Sequence, residues 1–357
     1  MQNLLYFTSA RLPNKKAHSV QILKMCDTFS NYYNTFLFCK KDYTNDIKKK
    51  FNLKNTFKIK NINIINFPII SIFSKLICVI KSKISQNDIL YTRDVHFAFL
   101  GIFFFRKIFL ELHFPYLSKK TISYYMIFFL VKSKKIKIVF ISKQLLKIYQ
   151  KKFTIKKNYI IAHSAAEKFL VKNKKKNKTI SVGYCGHLYK GRGIDLIIDL
   201  AKNLKNFKFN IMGGFEKDLL YIKKNNSVPK NIKFYKYKSY SKIKNFLSNN
   251  DILIAPYDKN AVYAGQTETS KFMSPLKIFE YMASKRPIVS SNHLVLKEVL
   301  KNNINSILCN PSNLNEWLKA LNRLKSSSLR KKISNNAYIK FINLYTWDKR
   351  VKKILDK

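Results

Sequence analysis

The chain has 357 residues, which is too many for one typical core and fits two domains of ordinary size. Apolar residues make up 46% of it, which excludes an intrinsically disordered protein. The 69 Lys and Arg residues outnumber the 19 Asp and Glu residues, and the resulting net charge of +50 indicates an anionic partner, either nucleic acid or a membrane surface. Lysine is nevertheless spread along the whole of a chain rich in Asn and Ile, which favours codon bias as the main source of the charge.

The five cysteines are scattered and form no Cys-x-x-Cys pair, which excludes an obvious zinc site or disulfide framework and predicts a reducing, cytoplasmic location. The N-terminus has no signal-peptide pattern. Two apolar runs, at residues 97–110 and 122–131, are too short or too interrupted by charge to span a membrane, so we predict buried helices or strands there. We expect a soluble protein, or one that is peripheral on the inner face of the cytoplasmic membrane.

The first half of the chain alternates short apolar strands with amphipathic helices. It opens with a strand at residues 4–7, a basic loop and a helix over residues 20–31, which is how an α/β nucleotide-binding domain begins. Further strands are predicted at residues 35–39, 62–67, 89–91, 107–110, 136–141 and 159–162, with a helix at 142–149.

Residues 69–84 predict an amphipathic helix that has Lys75, Lys81 and Lys83 on its polar side. A helix of this kind lies either on a membrane surface or against a sheet. We favour packing against a sheet.

The second half repeats the alternation after residues 172–178, a run without apolar residues that predicts an interdomain linker. Strands are predicted at residues 180–184, 207–212, 233–235, 252–255, 287–290 and 306–308, and helices at 194–204, 241–247, 274–283, 295–302 and from 314 onward. The sequence therefore predicts an α/β fold with two doubly wound domains, at residues 1–172 and 173–335.

The segment at residues 274–283, SPLKIFEYMA, predicts an anion site at the start of a helix. Ser274 is a favoured N-cap, and the backbone N–H groups of Leu276 and Lys277 lie at the positive end of the helix dipole, where phosphate commonly binds. Glu280 follows at a distance where its carboxylate could accept hydrogen bonds from sugar hydroxyls. The combination suggests a nucleotide-sugar, and the alternative is an ordinary capped helix.

The loop at residues 186–193 is a second candidate for phosphate binding. It has glycines at 186, 191 and 193, and it carries positive charge immediately before a helix, from His187, Lys190 and Arg192. It matches neither GxGxxG nor the P-loop, which argues against a dinucleotide or a hydrolysed triphosphate. The alternative is a glycine turn that only joins a strand to a helix. Two candidate phosphate-binding loops in one domain, at 186–193 and 274–277, favour a diphosphate bound between them.

Polar residues also follow two strands of the first half, at residues 92–94 and in Glu111-Leu112-His113. Open α/β sheets bind ligands at the carboxyl ends of their strands. His113 and Glu111 are therefore candidate catalytic residues, with a structural role as the alternative. His18, in the first loop, could reach the same cleft.

The motifs GYCGHLYKGRGIDLII, PY, SPLKIFEYMASKRPIVSS, LKEVL and the terminal YTWDKR together resemble family 4 (group 1) glycosyltransferases of the GT-B fold. SARLPNKKAHSVQILKMC, YTR and ELH resemble the acceptor-side domain of the same enzymes, so the resemblance covers essentially the whole chain, and SPLK with FEYMA is typical of one subgroup. It implies two Rossmann-like domains facing a central cleft and a C-terminal helix, residues 336–357, that packs on the first domain.

The resemblance implies a role for several residues. Arg192 takes the place of a lysine that contacts the donor diphosphate, and His187 that of a frequent arginine. Glu280 matches the second glutamate of a Glu-x7-Glu motif, which binds the ribose hydroxyls. The first glutamate of that motif is replaced by Phe272, which we interpret as a subgroup character; Glu268 is a candidate substitute.

The same resemblance implies transfer of a sugar from a nucleotide-diphosphate donor to a glycan or lipid-linked acceptor in polysaccharide or lipopolysaccharide synthesis, with retention. It implies that His113 approaches the donor sugar. No bound metal or other cofactor is expected, since no Asp-x-Asp follows a strand and cationic groups can stabilise the leaving diphosphate. Two alternatives remain: an inactive binding protein of the same fold, suggested by Phe272, and a basic nucleic-acid-binding protein, which the absence of a recognition motif disfavours. The donor sugar, base, acceptor and oligomeric state stay open.

Overall fold

The computed structural model describes residues 2–14, 16–41, 47–65, 68–82, 84–155, 158–169, 179–236, 238, 240–263 and 267–356. The chain divides into two compact units: unit 1 comprises Met1–His163 with Trp347–Lys357, and unit 2 comprises Ser164–Thr346. The division therefore lies before the predicted boundary at residue 172, and it places residues 336–346 in unit 2. The predicted linker, residues 172–178, lies outside the described residues.

Unit 1 is built on a parallel sheet with helices in the connections between its strands. Its strands are β1 Asn3–Leu12, β2 Asn34–Lys41, β3 Lys58–Asn61, β4 Ile89–Thr92, β5 Lys107–Leu112, β6 Ile136–Phe140 and β7 Tyr159–Ile161. Its connecting helices are α1 Ala17–Phe29, α2 Ile47–Phe51, α3 Pro68–Lys81, α4 Val95–Gly101, α5 Ile122–Leu130 and α6 Lys143–Gln150.

The strand order in unit 1 is β3-β2-β1-β4-β5-β6-β7, and neighbouring strands pair in parallel. The central strands are apolar along their length because helices can cover both faces of a parallel sheet; all four residues of β4 are buried. The chain builds outward from β1 in one direction and from β4 in the other. Their carboxyl ends therefore mark the switch point, where such sheets bind ligands.

Unit 2 repeats this architecture with six strands in its main sheet. Its strands are β8 Ile180–Cys185, β9 Phe207–Met212, β10 Ile232–Tyr235, β11 Ile252–Ala255, β12 Val262–Tyr263, β13 Thr267–Glu268, β14 Ile288–Ser291 and β15 Ile307–Cys309. Its helices are α7 Ile194–Asn203, α8 Glu216–Asn225, α9 Tyr240–Ser248, α10 Leu276–Ala283, α11 Leu314–Arg323 and α12 Ser327–Leu344.

The main sheet of unit 2 has the order β10-β9-β8-β11-β14-β15, with parallel pairing, so its switch point lies between β8 and β11. Successive residues of β11 belong to different buried clusters: Ile252 and Ile254 pack in one, Leu253 and Ala255 in the other. Alternation of this kind means that the clusters cover opposite faces of the sheet. The two parallel sheets confirm the predicted α/β fold with two doubly wound domains.

Three predicted elements differ from the structure. β3 lies at Lys58–Asn61, before the predicted strand at 62–67; residues 66 and 67 are outside the described residues. Residues 295–302 form only a 3₁₀ turn at Leu296–Glu298, because the Asn305 side chain bonds the backbone of residues 299 and 301 and competes with a helix there. The loop predicted over 258–273 contains the antiparallel pair β12–β13.

Helix α3 also differs from its prediction in the placement of a lysine. Lys75 was predicted on the polar side, but its side chain is buried and its Nζ lies 2.8 Å from Asp94 Oδ2. The helix packs through this side on helix α4, whereas packing on a sheet was favoured, and it exposes apolar side chains on the other side. Lys83 is outside the described residues.

The last helix of the chain, α13 Trp347–Leu355, belongs to unit 1 and packs on α1. It carries Arg350, a buried guanidinium that bonds Glu111 on β5: Nη2 lies 2.9 Å from Glu111 Oε2, and Nε donates to the carbonyl of His163 over 2.8 Å. Burial alone would raise the pKa of Glu111, but Arg350 and a hydrogen bond from His113 hold it well below its usual range. The ion pair therefore ties the C-terminus of the chain to the centre of the first sheet.

We expect Arg350→Met to lower the free energy of unfolding of unit 1 by roughly 3–5 kcal/mol, because it leaves the Glu111 carboxylate buried without its counter-charge. Trp347 is the tryptophan of unit 1 and Trp317 that of unit 2, so urea unfolding followed by Trp347 fluorescence in a Trp317→Phe background reports unit 1.

Lys352→Met on the exposed side of α13 is the matched control, since its pair with Asp348 lies at the surface and contributes little. Adding Glu111→Gln to Arg350→Met should recover part of the loss. If Arg350→Met alone lowers the free energy of unfolding by less than about 1 kcal/mol, the pair of Arg350 with Glu111 does not have this structural role.

Candidate functional site

The carboxyl ends of β8, β9 and β11 carry closely packed loops that contain glycine. Gly193 has φ 72°, and a Cβ there would fall 1.6 Å from the carbonyl oxygen of Pro256, so only glycine fits between the loops after β8 and β11. A Cβ at Gly186 would lie 2.8 Å from Lys277 Nζ. The loop at 186–193 and the start of α10, predicted separately as phosphate sites, are thus brought together.

Two cations surround one buried tyrosine at this edge of the sheet. Lys277 Nζ lies 4.9 Å from the ring centroid of Tyr257, and Arg192 Cζ lies 5.6 Å from the same centroid. Lys277 also lies over Tyr184, at 4.2 Å, and Arg192 over Tyr189, at 4.9 Å. The aromatic faces stabilise the cations, but they do not neutralise them.

The charges of Arg192 and Lys277 have no carboxylate partner among the described residues. Arg192 donates to Tyr189 Oη over 2.7 Å, while its Nε and the hydroxyl of Tyr257 are buried without a hydrogen-bond partner. Burial, and then repulsion from Arg192, lowers the pKa of Lys277 to about 7. A half-buried cation pair of this kind favours a multiply charged anion.

The start of α10 differs from the prediction in its capping residue. Ser274 was predicted as the N-cap, but the helix begins at Leu276 with Pro275 in the cap position and no side-chain cap. The hydroxyl of Ser274 instead accepts from the backbone N–H of Ser164 over 2.8 Å. The N–H groups of Leu276 and Lys277 still lack intrahelical acceptors, because they belong to the first turn.

Glu280 lies one turn further along α10, beside a small cavity that is also lined by Glu167, Tyr240 and Lys244. Burial raises the pKa of Glu280 to about 7, although the positive charges of Lys277 and Lys244 oppose the shift. Lys244 is paired with Glu167 at 2.6 Å. Among the described residues, the carboxylate of Glu280 has no hydrogen-bond partner, so it can accept from a ligand hydroxyl.

The structure also places the remaining predicted residues of unit 2. His187 stacks on Tyr189 with centroids 5.2 Å apart, and the side chain of Lys190 is exposed. Glu268, on β13, accepts from Ser270 over 2.8 Å. Phe272, at the position of the missing motif glutamate, is buried.

Unit 1 has its own polar cluster, centred on Glu111 at the end of β5. Oε1 accepts from Gln21 Nε2 over 2.7 Å and pairs with His113 Nε2 at 2.5 Å, while Oε2 accepts from Tyr91 and Arg350. With both oxygens engaged, Glu111 is placed to orient His113. Burial, and then the charge of Arg93, lowers the pKa of His113 to about 4, so its ring is neutral at pH 7 and donates Nε2–H to Glu111.

His18 lies in the first turn of α1, with Nε2 3.0 Å from Asn14 Nδ2. Burial and the charge of Arg93 lower its pKa to about 4 as well. Arg93, just after β4, thus acts electrostatically on both histidines, and its Nη1 is buried without a partner. The sequence placed Arg93 at a strand end but did not assign it to the site, and it gave no sign that Arg350 would reach Glu111.

Within the described ranges, no three His, Cys, Asp or Glu side chains converge as a metal-binding group would require. No helix in the described part of the chain has the length and apolarity needed to cross a membrane.

We expect Arg192→Gln to raise the pKa of Lys277, since it removes the like charge that acts on Lys277 after burial. The measurement is an NMR titration of ¹³C-dimethylated lysines, with the Lys277 resonance assigned by its loss in Lys277→Arg. Lys190→Gln, in the same loop but exposed, should leave that pKa unchanged. A wild-type Lys277 that titrates near the ordinary lysine value of about 10.4 would show that the cations are not coupled as described.

Part of the chain is similar in sequence to known glycosyltransferases. Residues 165–340 match the family described as glycosyl transferases group 1. An uncharacterized glycosyltransferase of Haemophilus influenzae is 29% identical over 198 residues, which cover 53% of this chain and 51% of that protein. The chain thus matches about half the length of this curated relative.

Solved structures show the same fold over nearly the full length. Anabaena HepE in complex with UDP and glucose is 14% identical with a TM-score of 0.72, covering 100% of this chain and 99% of that one. The lipopolysaccharide outer core galactosyltransferase WaaB, without ligand, is 14% identical with a TM-score of 0.70 and the same coverage. The two parallel sheets therefore have the GT-B fold of these structures.

Proposed function

We propose that the protein is a glycosyltransferase that moves a sugar from a nucleoside-diphosphate-sugar to a glycan or lipid-linked acceptor. The observation that carries this proposal is the pair of half-buried cations, Arg192 and Lys277, which have no carboxylate partner among the described residues and lie one helical turn from the open carboxylate of Glu280. The bound UDP of HepE supports a nucleotide ligand for this fold.

Each group has a distinct task in the proposed reaction. Arg192, Lys277 and the first N–H groups of α10 bind the diphosphate and stabilise the negative charge that develops on it as the bond to the sugar breaks. The carboxylate of Glu280 accepts hydrogen bonds from the ribose hydroxyls. Because these cationic groups can supply the charge that a metal would, the proposal includes no bound metal ion or other cofactor.

We further propose transfer with retention of anomeric configuration. Glu111, the carboxylate beside His113, has both oxygens occupied by four donors and is therefore unsuited to act as a nucleophile. In the proposed step the sugar–phosphate bond breaks, the acceptor oxygen bonds to the same face of the anomeric carbon, and the departing phosphate oxygen takes the acceptor proton. His113, held by Glu111, binds the donor sugar.

The finer parts of the proposal follow from the sequence resemblance. They are membership of the SPLK/FEYMA subgroup, a role in cell-surface polysaccharide or lipopolysaccharide synthesis, and a cytoplasmic location. WaaB, a lipopolysaccharide galactosyltransferase of this fold, supports the acceptor class. The buried Phe272 motivates one alternative, a protein that binds the donor without turning it over.

A screen of UDP- and GDP-sugars, followed by release of the nucleotide, tests the activity. We expect one donor class to be turned over, and Arg192→Ala and Glu280→Ala each to raise the donor KM by roughly 10-fold to 100-fold, because each removes charge-assisted hydrogen bonds to the donor. Lys190→Ala, an exposed cation of the same loop, should change little.

Undiminished donor efficiency in both variants would refute the assigned diphosphate and ribose contacts. Binding of a nucleotide without release from any donor would favour the inactive alternative.

His113→Ala should lower kcat by roughly 10-fold to 100-fold with a smaller change in donor KM, since the contact strengthens as charge develops on the sugar. The anomeric configuration of the product, read by proton NMR, tests retention in the same assay. If His113→Ala instead raises the donor KM by that factor and leaves kcat unchanged, His113 contributes only to ground-state binding of the donor. A product with inverted anomeric configuration would overturn the proposed step.

A further inference from the structure

Unit 1 exposes a large apolar surface on its helices α3 and α5. Nine of the seventeen large apolar side chains that stand exposed in the described part of the chain lie there or in the turn after α4. We call these residues the apolar face: Ile70, Phe73, Ile77 and Ile80 on α3, Phe103 after α4, and Ile122, Tyr125, Phe128 and Phe129 on α5.

The apolar face forms one surface because its helices adjoin one another. Helix α3 contacts α4, and α4 contacts α5. The exposed residues of α3 recur at intervals of three and four, which places them along one side of the helix, while Val79 on the opposite side is fully buried. Phe103, in the turn after α4, is 73% exposed, and its ring packs edge-on against Phe99 of α4.

Exposure of apolar side chains of this size to water is unfavourable, so a contiguous set of them needs an explanation. Single exposed apolar residues are normal on a soluble protein, but a contiguous set marks a surface that another body covers. The sequence run 122–131 was predicted to be buried, and the structure corrects this: Met126, Ile127 and Leu130 face the core, whereas four other apolar residues of α5 face outward.

The charges around the apolar face identify what covers it. Between residues 68 and 135 the sequence has eleven Lys and Arg residues and only three carboxylates, at Asp88, Asp94 and Glu111. Asp88 and Glu111 are buried, and the Asp94 side chain is 17% exposed and paired with Lys75. The accessible charge beside the apolar face is therefore positive.

Lysines stand at both ends of α5. Lys119 and Lys120 precede the helix, Lys132 and Lys134 follow it, and all four side chains are exposed. Lys132 Nζ lies 3.8 Å from the ring centroid of Phe128, so cation and aromatic ring meet at the edge of the apolar face. Aromatic residues flanked by lysines are typical of surfaces that insert between the headgroups of anionic lipids.

We propose that the apolar face docks unit 1 on an anionic lipid bilayer, with the apolar side chains inserted below the headgroups and the flanking lysines bound to lipid phosphates. A second copy of the chain is a poorer occupant, since two such faces would bring lysines of like charge together without a carboxylate between them. Docking does not depend on the proposed transfer reaction.

The test is co-sedimentation of the full chain with vesicles of phosphatidylcholine alone or mixed with phosphatidylglycerol. The face variant is Phe73→Ser, Phe103→Ser and Phe129→Ser combined. The matched control is Leu220→Ser, Tyr221→Ser and Leu294→Ser, which removes as many exposed apolar side chains from unit 2. Both triple variants keep the net charge, so they separate insertion from general attraction of a basic protein.

We expect the wild type and the control variant to bind the anionic vesicles, and the face variant to lose roughly 10-fold or more of its partition coefficient. A second set tests the charge: Lys119→Gln, Lys120→Gln and Lys134→Gln should weaken binding more than Lys217→Gln, Lys223→Gln and Lys224→Gln on α8. Circular dichroism checks that each variant is folded.

Equal vesicle binding by the face and control variants would overturn the proposal, as would a wild type that does not bind anionic vesicles. Sedimentation velocity tests whether a second copy of the chain covers the apolar face instead. If the wild type is a dimer that does not bind vesicles and the face variant is a monomer, the apolar face serves self-association and the proposal is wrong. Binding lost equally in both lysine sets would show only diffuse attraction and would also count against docking at this face.

Discussion

The site in unit 2 depends on positive charge that the protein holds without neutralising it. Arg192 and Lys277 lie around Tyr257, and the pKa of Lys277 near 7 expresses how far burial and the second cation disfavour its charged form. A bound diphosphate neutralises the two cations. The free-energy cost of holding them close together in the free protein is then recovered as binding affinity. The surrounding loops bring the two cations together. Glycine at positions 186 and 193 lets the strand-end loops and α10 approach closely enough for this.

In unit 1, by contrast, the protein itself neutralises a buried charge. The buried charge of Glu111 is fully compensated by Arg350 and three further donors, which keeps the carboxylate ionised and fixed. His113 is held through the same carboxylate and stays neutral. A neutral imidazole in a fixed orientation suits hydrogen bonding to a sugar, whereas a protonated one would add to the positive charge of Arg93 nearby. The C-terminal helix α13 thus has a direct role in ordering the first unit, since it supplies Arg350.

Much of the fold could be predicted from the sequence. Strands β9 and β11 begin and end where predicted, because β11 is an apolar run, β9 alternates apolar with polar residues over most of its length, and turn residues bound both strands. The failures have tertiary causes. Ser274 caps no helix because its hydroxyl bonds Ser164, Lys75 is buried because it meets Asp94, and Arg350 reaches Glu111 from the far end of the chain. Helix α5 is almost entirely apolar and carries no charged residue to mark its outer side, so its exposed face was not foreseeable. The donor-site assignments of Arg192, Lys277 and Glu280 remain predictions that their geometry supports.

The central claim is that the uncompensated cations of unit 2 bind a nucleoside diphosphate, and calorimetric titration with UDP and GDP, each beside its monophosphate, tests it most directly. We expect one diphosphate to bind at least roughly 10-fold more tightly than the matching monophosphate, because the second phosphate completes the contact with both cations. We also expect proton uptake above pH 7, as the bound anion raises the pKa of Lys277 from about 7. Absence of binding by both diphosphates at millimolar concentration would contradict the claim.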